Sequence, residues 1–89
     1  MIKSNATINN SLGLHARASS KLTTLAGSFP CDISVSRGDR RVNAKSIMGV
    51  MMLAAGMGSV IEIETEGEQE REAMNALLAL IADKFGENQ

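Results

Sequence analysis

Aromatic residues, cysteine and histidine are all scarce in this chain of 89 residues. It contains no tryptophan or tyrosine, and its aromatic side chains are those of Phe29 and Phe85. Single-stranded nucleic acid binds by stacking on aromatic side chains, and the pI is near 5.7, so we expect no nucleic-acid partner. Cys31 stands alone, which excludes an internal disulfide and is typical of a protein of the reducing cytoplasm. With one histidine and one cysteine, the sequence predicts no metal site and no cofactor.

Long apolar runs are missing as well. None approaches the stretch of about 18 residues that a membrane-spanning helix requires, so we expect no membrane insertion. The length and an apolar content of 44% predict a single domain over residues 1–89, and we expect it to be a monomer. Residues 1–59 carry seven basic and two acidic side chains, a balance of +5, whereas residues 60–89 carry two and eight, a balance of −6. The basic part either attracts an acidic or phosphorylated partner or simply solvates the surface.

Strand and helix patterns alternate along the chain without a linker or a repeat. Period-two alternation predicts strands over residues 2–8, 33–35, 40–43 and 60–66, and helical spacing predicts helices over residues 18–26, 47–53 and 70–85. Arg37-Gly38-Asp39 predicts a hairpin turn between the second and third strands. The third helix would bury a stripe through Ala73, Leu77, Leu80, Ile81 and Lys84. The order β-α-β-β-α-β-α predicts an α+β fold in which three helices cover one face of a four-stranded antiparallel sheet.

The single histidine lies in Gly13-Leu14-His15-Ala16-Arg17, where a polar turn meets the first predicted helix. The first N–H groups of a helix lack partners within it, and the helix dipole is positive at this end. Imidazole is a nucleophile that can form a covalent intermediate, including one with a phosphoryl group. The backbone N–H groups of Ala16, Arg17 and Ala18, together with the Arg17 guanidinium, are placed to bind the phosphoryl oxygens. The pattern therefore favours a phosphoryl-acceptor site.

Other functions are compatible with the same residues. His15 could simply cap the helix while Arg17 is a solvated charge. Ser19 and Ser20 lie close to His15, but no nucleophile-elbow motif frames either of them, which argues against a serine hydrolase. The sequence also contains no carboxylate pair or nucleotide loop of the kind that a self-contained enzyme needs. From the residues alone, a phosphate site and a capping histidine both stay open.

Two motifs connect the chain to a known family. Residues 13–17, followed by a helix through Leu22 and by Gly27-Ser28-Phe29, closely resemble the HPr family of histidine phosphocarriers. Residues 43–51, Asn-Ala-Lys-Ser-Ile-Met-Gly-Val-Met, resemble the regulatory-serine segment of the same family. The motifs have the family's separation, and the resemblance extends along nearly the whole chain.

The resemblance implies an open-faced β-sandwich and a role in the phosphoenolpyruvate-dependent phosphotransferase system. Enzyme I would phosphorylate His15, on Nδ1 by analogy with the family, and Arg17 would stabilise the phosphoryl group. An EIIA-type domain would then receive it. The protein would thus be a carrier between enzymes and not itself an enzyme. An HPr kinase/phosphorylase would modify Ser46 as a regulatory site.

Ser46 also has a structural interpretation. It precedes the short second helix, where its side chain is a candidate N-cap worth about 1 kcal/mol. A phosphate there would add a charge of about −1.5 to −2 at a helix N-terminus, which is locally favourable. We expect such a phosphate to regulate by presenting its charge to a docked partner, with Lys45, Arg40 and Arg41 placed to contact it.

The same helix predicts a docking surface for partner proteins. Met48, Met51 and Met52 are more methionines than a short helix can bury, although we expect Met51 to pack in the core. Flexible thioethers suit a surface that must fit several partners. Gly49 would keep the helix surface low where a partner approaches.

The chain departs from the common family pattern at two positions. Ala18 stands where many members have proline, which restores an N–H donor and frees the preceding residue from the restriction that proline imposes. Leu12 stands where many members of the sugar branch have asparagine, and it is similar to the nitrogen-related NPr branch. Two alternatives to a sugar-branch carrier therefore stay open: an NPr-type carrier, and a regulatory module that acts mainly by docking.

Overall fold

Four strands and three helices follow one another in the predicted order. In the computed structural model, which describes residues 1–88, they are β1 (Ile2–Thr7), α1 (Ala16–Gly27), β2 (Asp32–Arg37), β3 (Arg40–Asn43), α2 (Ile47–Met52), β4 (Val60–Glu66) and α3 (Glu70–Ala82). Each predicted element is found, with ends that differ by a few residues. Within residues 1–88, none of the helices has the length and apolar content that crossing a bilayer requires.

The strands form one antiparallel sheet in the order β1-β4-β2-β3. The β2 and β3 strands form the predicted hairpin, in which Val35 pairs with Val42. The β4 strand lies between β1 and β2, and its alternation sends Ile61 and Ile63 into the core while Glu62 faces solvent. This polar outer face leaves the sheet open on one side, as the predicted α+β fold requires.

The core lies between the inner face of the sheet and the three helices. Leu22 of α1, Val50 of α2 and Leu77 of α3 are fully buried there. Burial of each such aliphatic side chain stabilises the fold by about 1.5–3 kcal/mol. Thr65 of β4 is buried as well, and its hydroxyl donates to the Glu70 carbonyl at 2.9 Å, which joins the sheet to the start of α3. The core is therefore built mostly from aliphatic side chains, together with the aromatic ring of Phe85.

The third helix ends earlier than its apolar pattern predicts. It stops at Ala82, and Lys84 and Phe85 adopt left-handed backbone angles, with φ of 57° and 56°. This reversal buries the Phe85 side chain completely and places its carbonyl 2.6 Å from the Lys21 ammonium of α1. The prediction that Lys84 belongs to the buried helical stripe was wrong, because the chain leaves the helix before that residue. Residues 83–88, called the closing segment below, instead run back towards the start of α1.

Candidate functional site

His15 is the N-cap of α1. Its backbone is extended, with φ of −72° and ψ of −179°, and its carbonyl accepts the first helical hydrogen bond, from the Ser19 N–H at 2.8 Å. The buried Ser19 hydroxyl donates to the Leu14 carbonyl at 3.0 Å and so fixes the chain just before the helix. The His15 imidazole makes no capping hydrogen bond. A purely capping role for the side chain is therefore not what the geometry supports.

The loop that carries His15 is pressed against the residues that follow α2. The Leu14 N–H donates to the Ala55 carbonyl at 2.8 Å, and the Gly58 N–H donates to the Ile8 carbonyl at 2.7 Å. Gly13 has a φ of +65°, and a Cβ on it would lie 2.5 Å from the Ala55 carbonyl oxygen. Glycine is needed here both for its backbone angle and for the close approach. This packing fixes the position of His15 relative to α2.

Hydrogen-bond donors without partners in the described part of the chain lie at the start of α1, next to His15. The backbone N–H groups of Ala16, Arg17 and Ala18 make no hydrogen bond within residues 1–88, as expected for the first turn of a helix. Within the same residues the Arg17 guanidinium makes no hydrogen bond or ion pair either. It lines an open cleft of about 690 Å³ together with His15 and Lys21. The cleft thus combines a nucleophile, a free cation and free N–H groups, which suits an anion with several oxygens.

Glu87 of the closing segment contacts His15 directly. Its carboxylate oxygen Oε2 lies 2.5 Å from His15 Nε2, and its Oε1 accepts from the Asn10 amide at 3.1 Å. The same Asn10 amide donates to the Gly13 carbonyl at 2.9 Å. The hydrogen bond from His15, followed by that from Asn10, lowers the pKa of the Glu87 carboxyl below its ordinary value of 4.5, and the positive charge of Lys21 acts in the same direction. Sequence reasoning missed both Glu87 and Asn10.

Comparison with known proteins decides the family. A family model described as "PTS HPr component phosphorylation site" matches residues 2–83. The chain belongs to the HPr family. The phosphocarrier protein HPr of Cupriavidus necator is 62% identical over 89 residues, with both chains fully covered, and that of Neisseria meningitidis serogroup A is 55% identical over the same length. The crystal structure of HPr from Thermoanaerobacter tengcongensis superposes with a TM-score of 0.96 at 42% identity, again with both chains fully covered.

Family membership establishes the class of function. The chain is a phosphocarrier of the phosphotransferase system, and as an HPr protein it passes a phosphoryl group between enzymes instead of catalysing a reaction of its own. It therefore interacts with enzymes of that system. The predicted fold, family and carrier function are confirmed.

Ser46 is the N-cap of α2. Its hydroxyl oxygen accepts from the Gly49 N–H at 3.2 Å, and the residue is exposed to solvent. The predicted cap is confirmed. The neighbouring cations have other contacts in the unmodified chain: Lys45 donates to the Phe29 carbonyl at 2.8 Å, Arg41 pairs with Glu64 at 2.9 Å, and Arg40 donates to the Met52 carbonyl at 2.6 Å. Arg40 thus lies at the opposite end of α2 from Ser46, so it does not face the serine.

The methionines of α2 form an exposed surface. Met48 is 67% exposed, Met52 58% and Met51 38%, and these three residues are called the methionine patch below. The prediction that Met51 is buried was wrong, because Val50 supplies the buried side chain of this short helix. Gly49 also has a structural reason, while its predicted role in docking stays a prediction. A Cβ there would lie 3.2 Å from the Val42 Cβ, so the glycine lets α2 pack closely on β3.

Proposed function

We propose that His15 is the residue that carries the phosphoryl group, bound through Nδ1. The observation that carries the proposal is a set of donors beside His15 that have no partner within residues 1–88: three backbone N–H groups of the first α1 turn and the Arg17 guanidinium. A phosphoryl group on Nδ1 presents three negatively charged oxygens, and these N–H groups and the cation are suited to bind them. Ala16, Arg17 and Ala18 supply the N–H groups, and Arg17 supplies the cation.

Enzyme I is the proposed donor, and an EIIA-type domain is the proposed acceptor. Both would approach the cleft at His15 across the methionine patch, whose exposed thioethers can adapt to two different protein surfaces. The hydrogen bond from the Leu14 N–H to the Ala55 carbonyl supports this arrangement, because it places the residues after α2 beside the His15 loop. The carrier would act as a monomer in the cytoplasm.

Incubation with Enzyme I and phosphoenolpyruvate tests the proposal. We expect one phosphate per chain, labile in acid and stable in base, as is typical of a phosphorus–nitrogen bond. The chain has a single histidine, so His15→Ala is expected to abolish the modification completely. An acid-stable phosphate, or a phosphate retained in His15→Ala, would show that another residue is the carrier.

Ser46 is the proposed regulatory site. Its hydroxyl is exposed and adjoins the methionine patch, so a phosphate would place about −1.5 to −2 charges beside the docking surface. The charge is compatible with the start of a helix, which is why we expect docking to weaken while the carrier stays folded. Treatment with an HPr kinase/phosphorylase should give an acid-stable phosphate that is absent in Ser46→Ala. A Ser46→Asp variant that accepts phosphate from Enzyme I at the wild-type rate would count against this form of control.

A nitrogen-related carrier is the second candidate function. Leu12 is exposed and lines the cleft beside His15, so an apolar acceptor surface would find a complementary contact there. Transfer rates from the phosphorylated chain to a sugar-specific and to a nitrogen-related EIIA-type protein separate the two. This second function would be favoured if transfer to the nitrogen-related protein is the faster of the two and if Leu12→Asn slows it.

A further inference from the structure

The contact between His15 and Glu87 connects residues that are 72 positions apart in sequence. The family model matches residues 2–83, so Glu87 lies outside the matched range. Both side chains are largely shielded, with 27% of His15 and 15% of Glu87 exposed. The closing segment is also held at a second point, where the Lys21 ammonium donates to the Phe85 carbonyl at 2.6 Å. The Glu87 carboxylate is therefore held in contact with Nε2 of His15, the proposed phosphoryl acceptor.

Hydrogen-bond chemistry decides which ring nitrogen carries the proton. An ionised carboxylate only accepts hydrogen bonds, so the 2.5 Å contact requires a proton on His15 Nε2. A carboxyl with the ordinary pKa of 4.5 is already ionised at neutral pH, and the hydrogen bonds to Glu87 lower its pKa further. In the neutral imidazole the other nitrogen, Nδ1, then keeps its lone pair. No hydrogen bond to Nδ1 occurs within residues 1–88, so that lone pair is available.

We propose that Glu87 is a positioning residue for phosphoryl transfer: its carboxylate holds the Nε2 proton of His15, directs Nδ1 at the incoming phosphorus, and balances the charge that forms on the ring. The proposal rests on His15 being the phosphoryl acceptor. The arrangement has the same logic as a carboxylate that orients a catalytic histidine and stabilises its imidazolium.

The transfer step balances without another reactant. The Nδ1 lone pair forms a bond to the phosphorus of the donor, while the bond from phosphorus to the donor's leaving atom breaks and leaves its electron pair on that atom. The Nε2 proton stays on the ring, which therefore becomes positively charged. Glu87 faces that proton and neutralises the new charge. On transfer to the acceptor, the Nδ1–phosphorus bond breaks, its electron pair returns to Nδ1, and the ring is neutral again.

Charged side chains of both signs line the cleft with His15: Glu87 at its Nε2, and Arg17 and Lys21 of α1. Glu87 occupies the Nε2 side, where a carboxylate is useful because no phosphoryl oxygen lies there. Lys21 donates to the Phe85 carbonyl, whereas Arg17 has no partner in the described part of the chain and can bind the phosphoryl oxygens. Asn10 donates to the second oxygen of Glu87, which helps to hold the carboxylate in place beside Nε2.

Nitrogen-15 and proton NMR of the unphosphorylated protein test the positioning role without any partner enzyme. At a pH where the ring is neutral, we expect the proton on Nε2, with a downfield ring N–H resonance that exchanges slowly with water. Glu87→Ala should lose that resonance. Glu68→Gln also removes a negative charge, but from an exposed residue that is not among the described residues lining the cleft, so it should keep the resonance. A proton on Nδ1 in the wild type, or an unchanged resonance in Glu87→Ala, would overturn the proposal.

Phosphorylation kinetics supply the second readout. Glu87→Gln keeps a hydrogen-bond acceptor of the same size but removes the charge, so we expect Enzyme I to phosphorylate it about tenfold more slowly, and Glu87→Ala more slowly still. If both variants are phosphorylated at the wild-type rate while the wild type is modified on Nδ1, the role of Glu87 is overturned and that of His15 is unaffected. A wild-type chain that accepts no phosphate on His15 would contradict the proposed function, and the NMR measurement would still report on Glu87.

Discussion

Gly13→Ala is expected to destabilise the fold and to disturb the His15 loop together. The residue has a φ of +65°, an angle that costs an alanine about 1–2 kcal/mol. The added Cβ would also lie 2.5 Å from the Ala55 carbonyl oxygen and 2.7 Å from the Gly56 Cα. Both atoms belong to backbone, so a segment must move, at a cost of about 1–3 kcal/mol. We therefore expect the free energy of unfolding to fall by about 2–5 kcal/mol.

That loss is large for a domain of this size. A chain of 89 residues is typically stable by about 4–13 kcal/mol, and each kcal/mol shifts the melting temperature of such a domain by about 4–8 °C. Urea unfolding and thermal melting measure the change directly. Movement of the Ala55 carbonyl also strains its hydrogen bond from the Leu14 N–H, so we expect slower phosphorylation of His15 by Enzyme I.

Gly27→Ala is the matched control for this prediction. Gly27 lies in the last turn of α1, and a Cβ there would meet no heavy atom within 4 Å. The free energy of unfolding should stay unchanged or rise by up to about 1 kcal/mol, since alanine loses less backbone entropy on folding. A Gly13→Ala variant that unfolds within about 0.5 kcal/mol of the wild type would refute the reasoning about both the backbone angle and the close approach.

Three further predictions concern capping, acid stability and phosphate binding. Ser46→Ala removes the acceptor of the Gly49 N–H and should lower the free energy of unfolding, measured in urea, by about 1 kcal/mol. Ser20→Ala, at an exposed position within a helix, is the control and should not lower it; equal losses in the two variants would contradict the capping role of Ser46. Glu70 and Glu87 have pKa values below their ordinary 4.5, so the unfolded chain binds more protons than the folded one as the pH falls. Their contribution to the free energy of unfolding should be fully present above pH 4.5 and be lost as the pH falls below that value. Urea midpoints at a series of pH values check this, and a rise in the free energy of unfolding on acidification would contradict it. Arg17→Ala should leave the free energy of unfolding in urea within about 0.5 kcal/mol of the wild type, because the side chain has no partner within residues 1–88. The same variant should be phosphorylated by Enzyme I at least about tenfold more slowly, and an unchanged rate would show that Arg17 does not belong to the site.

Local patterns predict the elements of this fold because their causes are local. The alternation of Ile61 and Ile63 with glutamates is visible in sequence and produces a strand with one buried face. Ser46 before an apolar run is likewise a local signal, and its cap forms as predicted. The chemistry at His15 is also local, since the histidine, Arg17 and the helix start are consecutive.

Contacts between distant segments escape the same reasoning. Glu87 reaches His15 because Lys84 and Phe85 adopt left-handed angles that non-glycine residues rarely take, so nothing in their sequence predicts the reversal. The role of Gly49 depends on where β3 lies beneath α2, which a helical pattern alone does not specify. The exposure of Met51 follows in the same way from which face of α2 meets the core. In each case the physical cause is tertiary packing.

The position of the phosphoryl group on the wild-type chain tests the central claim most directly. After phosphorylation by Enzyme I and phosphoenolpyruvate, phosphorus-31 and nitrogen-15 NMR identify the atom that carries the group. The structure predicts a single phosphoramidate on Nδ1 of His15, with the proton on Nε2 facing Glu87. Phosphate on Nε2 of His15, or on any other residue, would contradict the account.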